Sequence, residues 1–214
     1  MKLKVNIGCG TSPSQGWKNF DNTPSIKLAN SPFKFWLLKL LGLLNSRQIE
    51  NVEWNKENKI LYADATNRIP LTDSTAEVIY SSHMLEHLSR DGAKLFLKEA
   101  LRVLDNGGVL RVAVPDLQFH VNNFISNKDA DEFMEKMYVS APSLNSLKQK
   151  LLLFFVGYRH HQWMYDGISL SKLMLELGFK EAIVQDAGET SIKNFIGLNL
   201  FERKDESVYV ESIK

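Results

Sequence analysis

Short runs of β-forming residues alternate along the chain with segments of helical periodicity, and this alternation restricts the fold to the α/β class. The predicted strands cover residues 3–7, 17–20, 60–63, 76–80, 108–114, 182–185 and 196–202. A short segment around Gly188 separates the last two runs, and it is too short for a helical crossover. The sequence therefore predicts a mostly parallel sheet that closes with an antiparallel pair.

Composition narrows the class of protein further. The 214 residues carry 26 Lys and Arg against 25 Asp and Glu, so no global charge attracts the chain to nucleic acid or to an anionic membrane. The single cysteine excludes an internal disulfide, and the N-terminal residues lack a signal-peptide pattern, which favours a reducing cytoplasm. The longest apolar stretch, residues 33–44, is too short to span a bilayer.

Two segments lie outside the alternation of strands and helices, residues 24–58 and about 117–165. We interpret both as helical lids inserted into a single domain that covers residues 1–214. The first contains the apolar and basic run 33–44, which is suited to burial in a lid or dimer contact and also to an interfacial helix. The second contains the apolar run 151–156, for which packing under the lid is favoured.

The first chemical motif is a strand that runs directly into Gly8-Cys9-Gly10. Glycine permits a sharp turn and lets the backbone come into contact with a ligand. A plain tight turn has the same pattern. The third glycine of the dinucleotide fingerprint is missing, because Thr11 to Ser14 follow, and its absence disfavours NAD and FAD.

Acidic residues follow the next two predicted strands. Asp21 comes after the second strand, where a carboxylate can accept hydrogen bonds from both hydroxyls of a ribose. Asp64 comes after the third strand and can accept from an adenine amino group, while Ala65 offers a backbone N–H. The alternatives are an exposed turn residue for Asp21 and a helix or turn cap for Asp64.

Further motifs extend this pattern along most of the chain, leaving residues 24–58 and about 118–158 unmatched. In order they are Asn-Ile-Gly-Cys-Gly (6–10), Gly-Trp-Lys-Asn-Phe-Asp (16–21), Asp-Ala-Thr (64–66), Ile-Tyr-Ser-Ser-His-Met-Leu-Glu-His-Leu (79–88), Leu-Arg-Val-Leu-Asp-Asn-Gly-Gly (101–108), Val-Pro-Asp-Leu (114–117) and His-Gln-Trp-Met-Tyr-Asp (161–166). With these motifs the chain resembles the class I S-adenosylmethionine-dependent methyltransferases. More narrowly, it resembles small methyltransferases encoded beside surface-polysaccharide genes.

The resemblance implies a Rossmann-like fold with a seven-stranded, mostly parallel sheet, an antiparallel last strand and helices on both faces. It also implies that S-adenosylmethionine lies across the carboxyl ends of the first strands and leaves as S-adenosylhomocysteine. No metal ligand is assigned in this interpretation. The residues that it places at the cofactor are Asn6, Gly8, Cys9 and Gly10 at the methionine part, Asp21 at the ribose, Asp64 and Ala65 at the adenine, and Ser81, Ser82 and His83 beside the sulfonium.

Methyl transfer to a hydroxyl group needs a base that takes the hydroxyl proton, and histidine is the usual choice. His83 is the first candidate, because the resemblance places it nearest the methyl group, and His161 and His160 in the second lid follow. His87 lies on the same face as His83 if this segment is helical, and a structural role is favoured for it. Asp116, after the fifth strand, is a further candidate, with a turn cap as its alternative.

The sequence favours a small-molecule acceptor, most simply a hydroxyl of a sugar or glycan precursor, and disfavours nucleic acid. We expect a monomer or homodimer with no transmembrane segment, for which peripheral membrane contact remains open. Two other functions compete with methyl transfer. One is a non-catalytic protein that binds a partner or a membrane surface through its apolar lid. The other is a zinc hydrolase that uses His83-x-x-Glu86-His87 on a helix.

Overall fold

The computed structural model describes residues 2–139 and 160–214. Its strands are β1 (Leu3–Ile7), β2 (Lys18–Asp21), β3 (Leu61–Tyr62), β4 (Ala76–Ser82), β5 (Leu104–Pro115), β6 (Glu181–Gln185) and β7 (Ser207–Ile213). Its helices are α1 (Pro24–Ala29), α2 (Pro32–Leu40), α3 (Ser46–Glu57), α4 (Arg90–Val103), α5 (Leu117–Asn127), α6 (Ala130–Met137) and α7 (Gly167–Glu176), with a single 3-10 turn at Leu85–His87. The predicted run 151–156 lies outside the described residues.

The strands form one sheet in the order β3-β2-β1-β4-β5-β7-β6. β1 to β5 pair in parallel, and β7 pairs antiparallel with both β5 and β6. The predicted fold class, a mostly parallel seven-stranded sheet with an antiparallel last strand, is confirmed. The carboxyl ends of β1, β2, β3 and β4 lie along one edge of this sheet, where α/β proteins bind ligands.

The last strand is not where the sequence placed it. The predicted strand 196–202 is a series of turns, and β7 begins at Ser207. Gly197, within the predicted run, has a φ angle of +86°, outside the extended region that strand residues adopt. β7 was missed because two of its interior positions are polar: Glu211 and Ser212 are both buried.

Alternate residues of β4 pack on opposite faces of the sheet. Ile79 belongs to the main core, where Phe96 of α4 and Leu170 of α7 cover the sheet. Val78 and Tyr80 face the other side and pack against Trp17 and Ile192. The position of β4 is fixed from both faces, and with it the position of the turn that follows Ser82.

The segment 24–58, predicted as an inserted lid, forms α1, α2 and α3 between β2 and β3. Ile26 of α1 packs with Cys9 and Ile60, so this segment is anchored beside the turn that follows β1. Phe35 of α2 packs with Val52 of α3. In the described residues, no helix has the length and apolar character needed to cross a bilayer.

Candidate active site

A cleft of about 670 Å³ opens at the carboxyl ends of β1, β2 and β3. Its walls include six of the residues predicted to contact the cofactor: Gly8, Gly10, Asp21, Asp64, Ala65 and His83. These residues come from four separate parts of the chain and converge because the parallel strands end at the same edge. The cleft is also lined by residues that the sequence analysis did not select, among them Thr23, Met84, Tyr138 and Gln162.

The turn after β1 brings backbone to the floor of this cleft. Gly8 and Gly10 have φ angles of +71° and +50°, in the region that favours glycine. A Cβ atom on Gly8 would clash with the side chain of Met84, whereas one on Gly10 would meet open space. The turn is held by Asn6, whose buried side-chain amide donates to Ser12 O at 3.3 Å and to Ser14 Oγ at 3.0 Å.

Asp21 ends β2 and faces this glycine turn. Its Oδ2 accepts a hydrogen bond from Gly10 N at 3.0 Å. Its Oδ1 accepts from Thr23 N at 2.8 Å and also from the Thr23 hydroxyl. The carboxylate is therefore fixed in orientation at the cleft wall by backbone and side-chain donors, as a group that must meet a ligand needs to be.

Asp64 follows β3 and caps its own turn. Its Oδ1 accepts from Thr66 N at 3.0 Å and from Thr66 Oγ1 at 2.7 Å. These hydrogen bonds are those of a turn cap, the alternative role that the sequence offered for Asp64. The residue also lines the cleft, together with Ala65. The two roles are compatible, since one carboxylate oxygen serves the turn and a carboxylate has two.

His83 stands directly after β4 with a φ angle of +47°, unusual for a residue other than glycine. Its backbone N–H donates to Ala113 O at 2.9 Å, which holds the turn against β5. The segment is thus not the helix that would place His83 and His87 on one face, and the helical zinc-hydrolase motif is wrong in its geometry. The His83 ring lies with Nε2 2.9 Å from Ser207 Oγ and Nδ1 3.4 Å from Glu86 Oε1.

A second cavity, of about 410 Å³, adjoins the first cleft. His83, His87 and Tyr138 line both spaces, while Glu86 and His161 line only the second. Burial lowers the pKa of His161, although the carboxylate of Glu86 acts in the opposite direction. His161 is therefore neutral at pH 7, with a lone pair available on its imidazole ring.

Five other residues that the sequence analysis selected do not line the first cleft. Cys9 is buried with Ile26, and burial, followed by the charge of Asp21, raises the pKa of its thiol to about 12. Ser81 is buried within β4, and Ser82 ends that strand. His160 contributes its carbonyl oxygen, 3.3 Å from His87 Nδ1. Asp116 is the N-cap of α5, where its side chain accepts from Gln118 N, as its capping alternative predicts.

Two residues at the candidate site had no usable signal in the sequence. Ser207 contacts His83 from 124 residues away, across the sheet. Tyr138 lines both cavities and accepts a backbone hydrogen bond from His161 N at 2.9 Å. Neither residue stands in a motif, so only the folded chain reveals its position.

Comparison with known proteins agrees with this geometry. The family model described as "Methyltransferase domain" matches residues 43–112, from the loop before α3 to the middle of β5. No curated protein gave a significant match. Among solved structures, a SAM-dependent methyltransferase from Thermotoga maritima, titled a possible histamine N-methyltransferase, superposes with a TM-score of 0.54 at 17% identity. The alignment covers 100% of this chain and 83% of that one.

PigF, solved with S-adenosylhomocysteine, superposes with a TM-score of 0.51 at 13% identity. All of this chain aligns, but only 50% of PigF is covered, so this chain spans half the length of that relative. The fold is that of the class I methyltransferases. The methyltransferase-domain match covers part of the chain, residues 43–112, and together with this fold it supports the predicted enzyme class and the predicted cofactor, S-adenosylmethionine.

Proposed function

We propose that the protein transfers the methyl group of S-adenosylmethionine to a hydroxyl of a small acceptor, a sugar or a glycan precursor. One observation carries the proposal. His83 lies on the wall shared by the two cavities, with the glycine turn and two carboxylates on one side and a histidine-rich space on the other. A donor in the first space and an acceptor in the second would meet at its imidazole.

The first cleft has the groups that the cofactor requires. The backbone of Gly8 and Gly10 would lie against its methionine part, Asp21 would accept from the ribose hydroxyls, and Asp64 with Ala65 would contact the adenine. Bound S-adenosylmethionine supplies a methyl group already activated on a sulfonium, so the protein has mainly to align the acceptor and exclude water.

The second cavity would hold the acceptor. In this proposal His83 takes the hydroxyl proton, and the Ser207 hydroxyl beside Nε2 keeps the ring in place. His161 and His160, which lie in the second predicted lid segment, would orient the acceptor. Cys9 remains a neutral thiol and takes no part as a nucleophile.

The acceptor class is inferred from the chemistry of the cavity and the sequence resemblance to methyltransferases beside polysaccharide genes. The balanced charge of the chain disfavours a nucleic-acid acceptor. We further propose one domain in which residues 24–58 and 117–165 act as lids and which works in the cytoplasm as a monomer or homodimer.

Isothermal titration tests the cofactor site. We expect micromolar binding of S-adenosylmethionine and S-adenosylhomocysteine, and none of NAD, because the third glycine of the dinucleotide fingerprint is absent. Transfer of a labelled methyl group to nucleotide sugars would then identify the acceptor. Folded protein that binds neither adenosyl ligand would refute the proposal.

A second candidate function rests on α2 and the residues after it. Phe33, Trp36, Leu40 and Leu43 are 72%, 57%, 66% and 64% exposed, beside the basic Lys34. Large apolar side chains next to basic ones are typical of an interfacial helix. Flotation with anionic vesicles tests this membrane contact: wild-type protein should float, and a Phe33→Ser, Trp36→Ser double variant should not. Wild-type protein that stays at the bottom refutes it.

A further inference from the structure

A carboxylate is enclosed at the boundary of the two cavities. The side chain of Glu86 is 1% exposed, and neither of its oxygens accepts a hydrogen bond from the residues that the structure describes. Among residues 2–139 and 160–214, the cationic groups within 4 Å of it are two imidazoles: His83 Nδ1 lies 3.4 Å from Oε1, and His87 Nε2 lies 3.8 Å from it. A carboxylate in such a place requires a positive partner.

The orientation of His87 shows that its neutral ring cannot be the positive partner of Glu86. Its Nδ1 lies 3.3 Å from the carbonyl oxygen of His160, which can only accept a hydrogen, so Nδ1 carries one. In the neutral ring, Nε2 then directs a lone pair toward Glu86, where it would repel the carboxylate. A backbone carbonyl that fixes one nitrogen and frees the other is the usual support of a metal-bound histidine.

His161 completes the group. Its ring centroid lies 5.1 Å from that of His87. Nδ1 of His161 is buried and accepts or donates no hydrogen bond among the described residues. One potential ligand atom from each of Glu86, His87 and His161 lies within 4.8 Å of the others, so small side-chain movements would bring all three to one ion.

We propose that Glu86, His87 and His161 bind a divalent transition-metal ion at the wall of the second cavity. Two imidazoles and one carboxylate form a donor set that Zn²⁺ and Mn²⁺ accept, and three protein ligands leave positions open for an oxygen ligand. Nδ1 of His83, beside the same carboxylate, can complete the set or remain the base. This proposal differs from the sequence analysis, which assigns no metal ligand.

One consequence rests on the proposed function, whereas cation binding itself does not. An acceptor that places a hydroxyl oxygen on the ion would be held beside His83, at the entrance to the cofactor cleft. The ion would also lower the pKa of that hydroxyl and reduce the demand on the base. Acceptors with two neighbouring hydroxyls, which can chelate the ion, fit such a site best.

The test is direct titration of the whole chain, freed of metal by chelator and dialysis, with zinc, manganese and magnesium chloride in separate experiments. We expect one equivalent of Zn²⁺ or Mn²⁺ to bind, and Mg²⁺ to bind more weakly because it prefers oxygen ligands. Glu86→Gln and His161→Ala should each weaken binding by more than about tenfold. Glu135→Gln and His120→Ala, which alter the same cavity outside the ligand set, should keep the wild-type affinity.

Absence of Zn²⁺ and Mn²⁺ binding by folded wild-type protein would overturn the proposal, as would equal affinity in the Glu86→Gln variant. Should that variant fail to fold by circular dichroism, His87→Ala and His161→Ala provide the same test. Titration of the same sample with S-adenosylhomocysteine separates the two ideas. Cofactor binding without metal binding rejects only the metal site, and metal binding without cofactor binding rejects only the proposed cofactor cleft.

Discussion

The backbone amide of Gly10 donates a hydrogen bond of 3.0 Å to Oδ2 of Asp21, which links the turn after β1 to the end of β2. The carboxylate is thereby part of the floor of the first cleft as well as a potential partner for a ligand. Its removal should affect binding in both ways, through the lost ligand contact and through a looser turn.

Substitution Asp21→Ala should weaken the binding of S-adenosylhomocysteine by about 1.5–3 kcal/mol, the range for a hydrogen bond to a charged group. This corresponds to a loss of about 10- to 150-fold in affinity, measurable by isothermal titration. Asp186→Ala, at an exposed position before Gly188, is the matched control and should bind as wild type. A change below about threefold for Asp21→Ala would place this residue outside the site.

Substitution His83→Asn should reduce turnover by about 10²- to 10⁴-fold, the usual contribution of a general base, while cofactor affinity stays within about threefold. Asparagine is the suitable replacement because it tolerates the left-handed backbone of this position better than alanine does. Single-turnover kinetics and titration with S-adenosylhomocysteine measure the two effects separately. Lys128→Asn, at an exposed left-handed position that lines neither cavity, serves as the control. Loss of cofactor affinity in His83→Asn would mean that His83 is a structural part of the wall.

The buried ion pair between Arg111 and Glu211 should be a main determinant of stability. The two side chains are 0% and 2% exposed, and Arg111 Nη1 lies 2.6 Å from Glu211 Oε1. Glu211→Gln leaves an unpaired guanidinium inside the protein and should lower the free energy of unfolding by about 3–5 kcal/mol, measured by urea denaturation. Glu181→Gln, on exposed β6, should change it by less than about 0.5 kcal/mol. Equal stability of the two variants would contradict this role.

Acid should destabilise the protein through the same carboxylate. Burial alone would raise the pKa of Glu211, but hydrogen bonds from Ser191, Thr190 and Arg111 outweigh it and hold the pKa below its ordinary value of 4.5. A carboxyl whose pKa is lower in the folded state adds stability that is fully present above the unfolded pKa and is lost as the pH falls through the folded pKa. The urea concentration at the midpoint of unfolding should therefore decrease as the pH falls below about 4.5.

The Glu211→Gln variant provides the control for this pH effect. Because glutamine does not titrate, the midpoint of the variant should depend less on pH below about 4.5 than that of wild type. Parallel acid curves for the two proteins would assign the acid sensitivity to other carboxylates. Glu99 is the next candidate, since its hydrogen bond with Arg102 lowers the pKa of its carboxyl as well.

Local pattern was sufficient for much of the fold and of the candidate cleft. The glycines and the acids after β2 and β3 could be predicted because each stands at the end of a strand, and parallel strands end together. The position of β7 could not be predicted, because its buried Glu211 reads as a surface residue until Arg111, 100 positions away, is placed beside it. Hydrophobic periodicity depends only on residues that are close in sequence, so it cannot reveal an ion-pair partner that is distant in sequence.

The arrangement of the residues around Glu86 could not be predicted from local sequence for a different reason. The spacing His83-x-x-Glu86-His87 was visible in the sequence, but its interpretation depended on a helix that the left-handed turn at His83 replaces. His161 joins the group through the fold, and its backbone N–H is bonded to Tyr138 O. The residue types suggested metal ligands, but the arrangement on which the metal proposal rests is formed only by the tertiary fold.

The place of β7 between β5 and β6 also has a consequence for synthesis on the ribosome. One edge of β5 pairs only with β7, Ser207–Ile213. That edge therefore stays unpaired while about 90 further residues are synthesised. An unpaired edge of a long apolar strand is a template for wrong pairing with other chains. A nascent chain arrested before residue 207 should therefore need chaperones far more than one released after residue 213.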